Sequence, residues 1–318
     1  MTAVFALGAL IFVAGAVVAA QQPPPALPPA PDGVIIEQNL SYLEPGREEK
    51  LDMYLPANRP LGARSPAVVI IHGGGWAAGD KAQAREFNIG TTLAKRGYVC
   101  VSINYSLQPG NRWPTNVYDC KNAVRFLRAN SAKYRIDSEN IGVIGGSAGG
   151  HLALMVGYSC DEPKLEPDSP YPGISNRVQA VVDLYGLANL LTRQKTDENG
   201  NPTGQRITSS AFMNGSPKDN PDGWKLGSPV YHISKSSPPT LIIHGSIDTT
   251  IDRDQSSELA GKLKEVGVEH QLIMLPDTGH TFDLKTWKGK PLPVDIESAV
   301  VGFFDRYLKK QQNLAKPG

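Results

Sequence analysis

The chain has 318 residues, 40% hydrophobic and 20% charged, enough to bury a full core, and one domain is the expectation at this size. Its formal net charge is +1, so no field draws in nucleic acid or an anionic membrane, and a neutral or locally charged small substrate suits it better. Three cysteines, Cys100, Cys120 and Cys160, match no zinc spacing and leave at least one thiol unpaired; Cys100 and Cys120 read as small apolar core fillers.

Phe5 to Ala20 is an apolar run too short for a comfortable membrane span, ending in Val18-Ala19-Ala20 before polar Gln21. A signal peptide over 1–20 is expected, with secretion or a periplasmic location and no stable membrane insertion, although no Lys or Arg precedes the run. Pro23 to Pro31 cannot form helix or sheet and reads as a stiff polyproline spacer, so the linker is placed at 21–33 and the folded domain at 34–318.

Val34 to Leu40 and Leu51 to Leu55 read as two strands joined through Pro45-Gly46, with the alternation of an exposed antiparallel edge. Ala67 to Ile71 is a continuous apolar run suited to a strand buried on both faces, and it ends in His72-Gly73-Gly74-Gly75-Trp76. Strands and helices then alternate. Phe87 to Arg96 is a helix and Tyr98 to Ile103 a strand, while Val117, Cys120, Val124 and Leu127 mark one helix face. Ile141 to Gly146 is a strand leading to a helix-compatible run from Leu152 to Tyr158, and Gln179 to Leu184 is another strand. The pattern predicts an α/β fold with a mostly parallel central sheet and helices on both faces.

Periodicity disappears between Gly186 and Ser237, and an irregular insert this long suggests a lid or binding loop, placed at about 187–237. Pattern resumes with the strand Thr240 to Ile243, a helix with Leu259, Leu263 and Val266 inward, and the strand Gln271 to Leu275. Ile296, Val300, Phe303, Phe304, Tyr307 and Leu308 form the apolar stripe of a last helix.

The chemistry is read from Gly145-Gly146-Ser147-Ala148-Gly149, which fits the G-x-S-x-G nucleophile elbow: a strand-to-helix turn holding a serine in a strained backbone conformation. A free serine is a poor nucleophile and needs an imidazole to take its proton. In an open parallel sheet that chemistry sits beyond the carboxyl ends of the strands. His270 precedes its strand, His151 is on the helix after the elbow, His72 belongs to the glycine loop and His232 to the insert. His244 ends a strand but is followed by a better-placed carboxylate. His280, on the loop after the last strand, remains.

Asp248 follows the strand ending at Gly245 and gives the order Ser147, Asp248, His280, as in α/β-hydrolases. Asp252 and Asp277 are rivals; Asp252 reads as a helix cap and Asp277 as a turn-former. Gly74, Gly75 and Ala148 can supply oxyanion-hole N–H groups, with His72 shaping the loop and Trp76 lining the pocket. The chemistry requires no metal and no cofactor. Few large apolar residues occur in the insert (Phe212, Met213, Trp224 and Tyr231 among them), which implies a shallow acyl pocket with aromatic surface for stacking on a ring.

With these residues in place the sequence resembles an α/β-hydrolase of the esterase/lipase type, close to the hormone-sensitive lipase-like carboxylesterases and, more specifically, to the feruloyl and acetyl esterase group called BD-FAE. The resemblance rests on His72 to Trp76, Gly79-Asp80, Tyr105, Trp113-Pro114, Asp119, Val124 to Asn130, Tyr134, Ile136-Asp137, Ile141-Gly142, Gly146 to Ala153, Pro238-Pro239 and His244-Gly245. It departs at Thr249, where that group more often has proline or valine after the aspartate. It implies Ser147, Asp248 and His280 as triad, Gly74, Gly75 and Ala148 as oxyanion donors, and a small-molecule or oligosaccharide ester as substrate. The rival readings are an amidase of the kynurenine formamidase kind, a long-chain lipase and a catalytically dead binding protein.

Overall fold

The computed structural model describes residues 27–110, 113–193, 212–213 and 215–309, with the backbone alone at 195–196 and 202–203. The expected signal peptide, the first part of the proline spacer and much of the middle of the insert lie outside the described residues.

β1 (Val34–Ser41) and β2 (Lys50–Pro56) form an antiparallel pair with a register shift between Glu37 and Leu40, but only β1 is the exposed edge expected of both, because β2 also pairs with a further strand and is buried from Leu51 on. Then follow β3 (Ser65–Ile71), α1 (Ala84–Lys95), β4 (Val99–Ile103), α2 (Thr115–Ala129), the single turn α3 (Ser131–Tyr134), β5 (Ile136–Gly146), α4 (Ala148–Tyr158) and β6 (Ala180–Leu184). The insert holds a two-residue ladder, β7 (Lys195–Thr196) with β8 (Pro202–Thr203), and a short helix α5 (Pro221–Leu226). The chain ends with β9 (Thr240–Gly245), α6 (Asp254–Val266), β10 (His270–Leu275), the ladder β11 (Thr286–Trp287) with β12 (Lys290–Pro291), and α7 (Ile296–Leu308). Eight strands form one sheet in the order β1-β2-β4-β3-β5-β6-β9-β10. Within that sheet the pairs β1–β2 and β2–β4 are antiparallel and the other five are parallel.

The β3 run shows why its sequence is apolar without alternation. Ala67, Val69 and Ile71 face the core under α2, α4 and α6, while Val68 and Ile70 face the core under α1 and α7. Both faces of the strand are dry there, so an unpartnered polar side chain on either would be costly. On the second face α7 lies so close to β5 that a Cβ on Gly142 would come within 2.8 Å of the Phe304 ring. Cys100 on β4 and Cys120 on α2 are buried free thiols, and Cys160 is free and half-buried.

Two expectations are corrected. The insert is less irregular than its composition suggests, because Asn220 caps α5 by accepting the Gly223 N–H at 3.1 Å and Pro221 opens the helix where no N–H is needed. The stacking surface expected of Phe212, Met213, Trp224 and Tyr231 is also reduced to one residue: the first three are buried and Tyr231 is exposed. Trp224 turns inward because its indole N–H finds the Gly215 carbonyl at 3.0 Å. Among the described residues no helix is long and apolar enough to cross a membrane.

Candidate active site

β5 runs out at Gly146, α4 starts at Ala148, and the residue between them, Ser147, has φ 59° and ψ −123°. A side-chain-bearing residue in that region costs roughly 1–3 kcal/mol, held here by the surroundings. The Ser147 N–H donates to the Leu184 carbonyl of β6 at 2.9 Å. A Cβ on Gly145 would sit 2.2 Å from the Gly149 carbonyl oxygen, and one on Gly149 would sit 2.1 Å from that of Ile71. The glycines therefore let the helix press against the sheet, which leaves the Ser147 hydroxyl at the carboxyl edge of the strands.

His280 reaches that hydroxyl from the loop after β10, with Nε2 3.0 Å from Ser147 Oγ. Its Nδ1 is 2.6 Å from Asp248 Oδ2. The imidazole is fixed by its neighbours: the Trp287 indole donates to the His280 carbonyl at 2.9 Å, and the Tyr185 ring meets His280 edge-on with centroids 4.8 Å apart. The Tyr185 hydroxyl accepts from Arg85 at 2.6 Å and donates to the Phe282 carbonyl at 2.8 Å, so its ring is immobile behind the histidine.

Asp248 lies on the loop after β9 and its other oxygen, Oδ1, accepts the N–H groups of Thr250 and Ile251 at 2.8 and 3.0 Å. Threonine in place of the family's proline or valine at position 249 does not prevent that turn. Burial pushes the Asp248 carboxyl up, but hydrogen bonds from His244, His280 and the Ile251 N–H outweigh it and hold the group well below the usual carboxylate range. The rival aspartates serve as local turn residues elsewhere on the loops. Asp252 accepts the Asp254 N–H at 3.0 Å where α6 begins, and Asp277, at φ 47°, is an exposed turn residue whose N–H donates to Ser246 Oγ at 2.9 Å.

The glycine loop stands beside the serine, for a Cβ on Gly73 would lie 3.3 Å from that of Ser147. Gly74 and Gly75 take φ of 114° and 62°, values that favour glycine. A Cβ on Gly74 would strike the Ala78 carbonyl oxygen at 2.0 Å, whereas one on Gly75 would meet nothing within 4 Å, so the loop is tight at one residue and faces open space at the next. His72 shapes the loop from beneath, with Nδ1 2.7 Å from the Gly73 carbonyl and its ring stacked on Tyr105. Ala148, the first residue of α4, is buried at the helix N-terminus.

Trp76 does not line a pocket as expected. It is 1% exposed, with its ring stacked on Phe212 at 4.6 Å and its indole N–H donating to His151 Nδ1 at 3.3 Å. His151 in turn meets the Gly227 carbonyl through Nε2 at 2.8 Å, bracing loop, α4 and insert together. Burial pushes that imidazole down to about 4, so it is neutral and able to accept at Nδ1 while donating from Nε2. His270 and His232 hold backbone carbonyls, of Val268 and Leu226.

Asp183, near the end of β6, was not singled out by the sequence. It is fully buried, its Oδ1 accepts the Gly186 N–H at 3.0 Å, and among the described residues its Oδ2 has no hydrogen-bond partner. Burial raises its carboxyl to about 7, against the opposing pull of His244 and the Gly186 N–H. A folded pKa above the unfolded aspartate value of about 3.9 means that the folded chain binds this proton more tightly, so stability is lost as pH rises from about 4 to about 7. Asp183→Asn is expected to remove that slope, gaining on wild type by up to a few kcal/mol above neutrality in urea denaturation followed against pH. A difference independent of pH would show that Asp183 is ionised throughout.

A strained serine on a strand-to-helix elbow, an imidazole 3.0 Å away, a carboxylate behind it and an eight-stranded sheet of this order define an α/β-hydrolase with a Ser-His-Asp constellation. The BD-FAE family model matches residues 51–263, and the chain belongs to that family. It is 30% identical over 77% of its length to the esterase LipQ of Mycobacterium tuberculosis (strain ATCC 25618 / H37Rv), covering 57% of that protein. This chain thus spans a little over half the length of the curated relatives it matches, at 57%, 56% and 54% of the first three. Among solved structures, a truncated carbohydrate esterase from gut microbiota aligns with TM-score 0.73 and 28% identity, over 87% of this chain and 97% of that one. An acetyl ester-xyloside bifunctional hydrolase from Caldicellulosiruptor lactoaceticus aligns with TM-score 0.62 and 27% identity, over 74% of this chain and 80% of that one.

Proposed function

We propose that the protein is a serine carboxylesterase acting on short-chain or aromatic acyl esters, of the acetyl or feruloyl type, carried on a carbohydrate. The observation that carries the reading is the continuous relay from Ser147 Oγ through His280 to Asp248, at 3.0 and 2.6 Å, beside an open glycine loop. Ser147 Oγ passes its proton to His280 Nε2 as it bonds to the ester carbonyl carbon. The carbonyl oxygen becomes an oxyanion faced by the N–H groups of Gly74, Gly75 and Ala148, each such donor worth about 3 kcal/mol. The imidazolium returns the proton to the departing alkoxide. Water then attacks the acyl-enzyme with the same base, releasing the acid and restoring Ser147.

Support for a small acyl group comes from the insert. Phe212, Met213 and Trp224 belong to the core, and α5 has six residues, so among the described residues no amphipathic lid helix walls a tunnel. A tunnel would add about 0.8 kcal/mol per buried methylene and raise specificity constants steadily with chain length. Acetyl and butyryl p-nitrophenyl esters are expected to outrun decanoyl and longer ones, in a series run beside methyl ferulate, acetylated xylan and N-formylkynurenine. Rates that climb through decanoyl would point to a lipase, and preferred turnover of the formamide to an amidase. The carbohydrate assignment draws on the likeness to the carbohydrate esterase and the acetyl ester-xyloside hydrolase.

A further inference from the structure

His244 is the strand-end histidine left without a role by the triad. It is fully buried, with Nε2 3.0 Å from the Ile251 carbonyl oxygen and 3.3 Å from Asp248 Oδ2. Both neighbours are acceptors, so Nε2 carries a proton, directed at the nearer Ile251 carbonyl and shared with Asp248 Oδ2. Nδ1, 2.7 Å from Ser256 Oγ on α6, then accepts from that hydroxyl. The ring's orientation is thereby locked, held at both nitrogens by groups that are themselves buried or backbone.

Asp248 Oδ2 therefore lies between two imidazoles, His280 on the loop side and His244 on the core side. Oδ1 is pinned by the Thr250 and Ile251 N–H groups, but a carboxylate pinned at one oxygen still rotates its plane. The second oxygen decides whether a lone pair points at His280 Nδ1. His280 is 12% exposed at its side chain and cannot set that plane alone, whereas His244 is tied into β9 and α6. The Ile251 carbonyl held by the same Nε2 also ties the Asp248 turn back onto the sheet. The charged or titratable groups facing His244 are Asp248 on this loop and Asp183 on β6.

We propose that His244 is a positioning residue for the catalytic acid: its Nε2–H orients the Asp248 carboxylate toward His280. This rests on the triad reading above. The test compares His244→Gln, whose amide places a donor near the position of Nε2, with His244→Asn, whose amide reaches only the Nδ1 side. The asparagine variant is expected to lose about 10- to 100-fold in kcat, the worth of one hydrogen bond to a charged group, with KM within about twofold of wild type. A misaligned carboxylate stabilises the imidazolium less, so the acid limb of its kcat/KM profile moves to lower pH. The glutamine variant is expected to recover most of both.

Equal losses in the two variants, or a loss with the acid limb unmoved or displaced to higher pH, would reduce His244 to core packing and overturn the proposal. Should the asparagine variant fail to fold, Ser256→Ala removes the hydroxyl that holds the ring at Nδ1. It is expected to show the same limb shift with a several-fold loss in kcat, and wild-type kinetics there would count against the idea equally. Ser147→Ala separates the two levels. If it abolishes turnover while His244→Asn leaves the kinetics intact, only the role of His244 falls; if Ser147→Ala is active, the triad reading falls with it.

Discussion

Ser147→Ala lowers turnover of p-nitrophenyl acetate by on the order of 10⁴-fold or more, with the folded state intact. The size follows from geometry. Ser147 Oγ is the atom 3.0 Å from His280 Nε2, and without it the imidazole has no proton to take and the carbonyl carbon no nucleophile to receive. What remains is the glycine loop and the pocket, which stabilise a water-derived transition state only weakly because nothing aligns the water. Members of such a unit act together, so removing the first forfeits most of what the others contribute. Folding is not the reason for the loss: alanine removes one atom from a residue whose backbone N–H, bonded to Leu184 O, still anchors the elbow. Circular dichroism and melting temperature would match wild type to within a few degrees, while the esterase rate collapses. A variant with near-normal rates would mean that another residue attacks the ester.

Much of this arrangement was legible because it is written in local composition. The run Ala67 to Ile71 is apolar at every position only because both faces of β3 are covered, and Gly145 and Gly149 are glycine because backbone oxygens stand about 2 Å from where their Cβ atoms would be. The order Ser147, Asp248, His280 could be read because the carboxyl ends of parallel strands are the place where loops converge. Other features depend on which distant atoms meet. The six-residue helix at Pro221 hides in a composition that otherwise signals turns, and only its Asn-Pro start marks it. Trp76 and Phe212 are 136 positions apart in sequence yet stack face to face, so neither is free for a ligand. The contact of His244 with Asp248, four residues on, has no mark in the sequence: in a helix that spacing suggests a pair, but across a strand end it carries no such signal.

Asp248→Asn is expected to cost about 10⁴-fold in kcat while leaving binding of a short ester nearly unchanged. Asparagine is almost isosteric, and its carbonyl oxygen can still accept the Thr250 and Ile251 N–H groups now held by Oδ1. That choice places the amide nitrogen at the Oδ2 position, 2.6 Å from His280 Nδ1. A donor there forces Nδ1 to accept, the ring proton moves to Nε2, and the nitrogen facing Ser147 has no lone pair for the serine proton. The lost negative charge also leaves the imidazolium of the transition state uncompensated, so both effects act in one direction. The same isosteric change at the other two aspartates meets no such chain. Asp252→Asn can still accept the Asp254 N–H at the start of α6, and the lost charge there is worth about 1 kcal/mol of stability at most. Asp277→Asn keeps a residue type that tolerates φ 47° and leaves the backbone N–H bond to Ser246 in place. Each should change turnover by less than about tenfold when rates are compared at equal folded fraction. If Asp252→Asn or Asp277→Asn instead produced the larger loss, the acid would have to be reassigned, and the 2.6 Å contact between Asp248 and His280 would need a purely structural explanation.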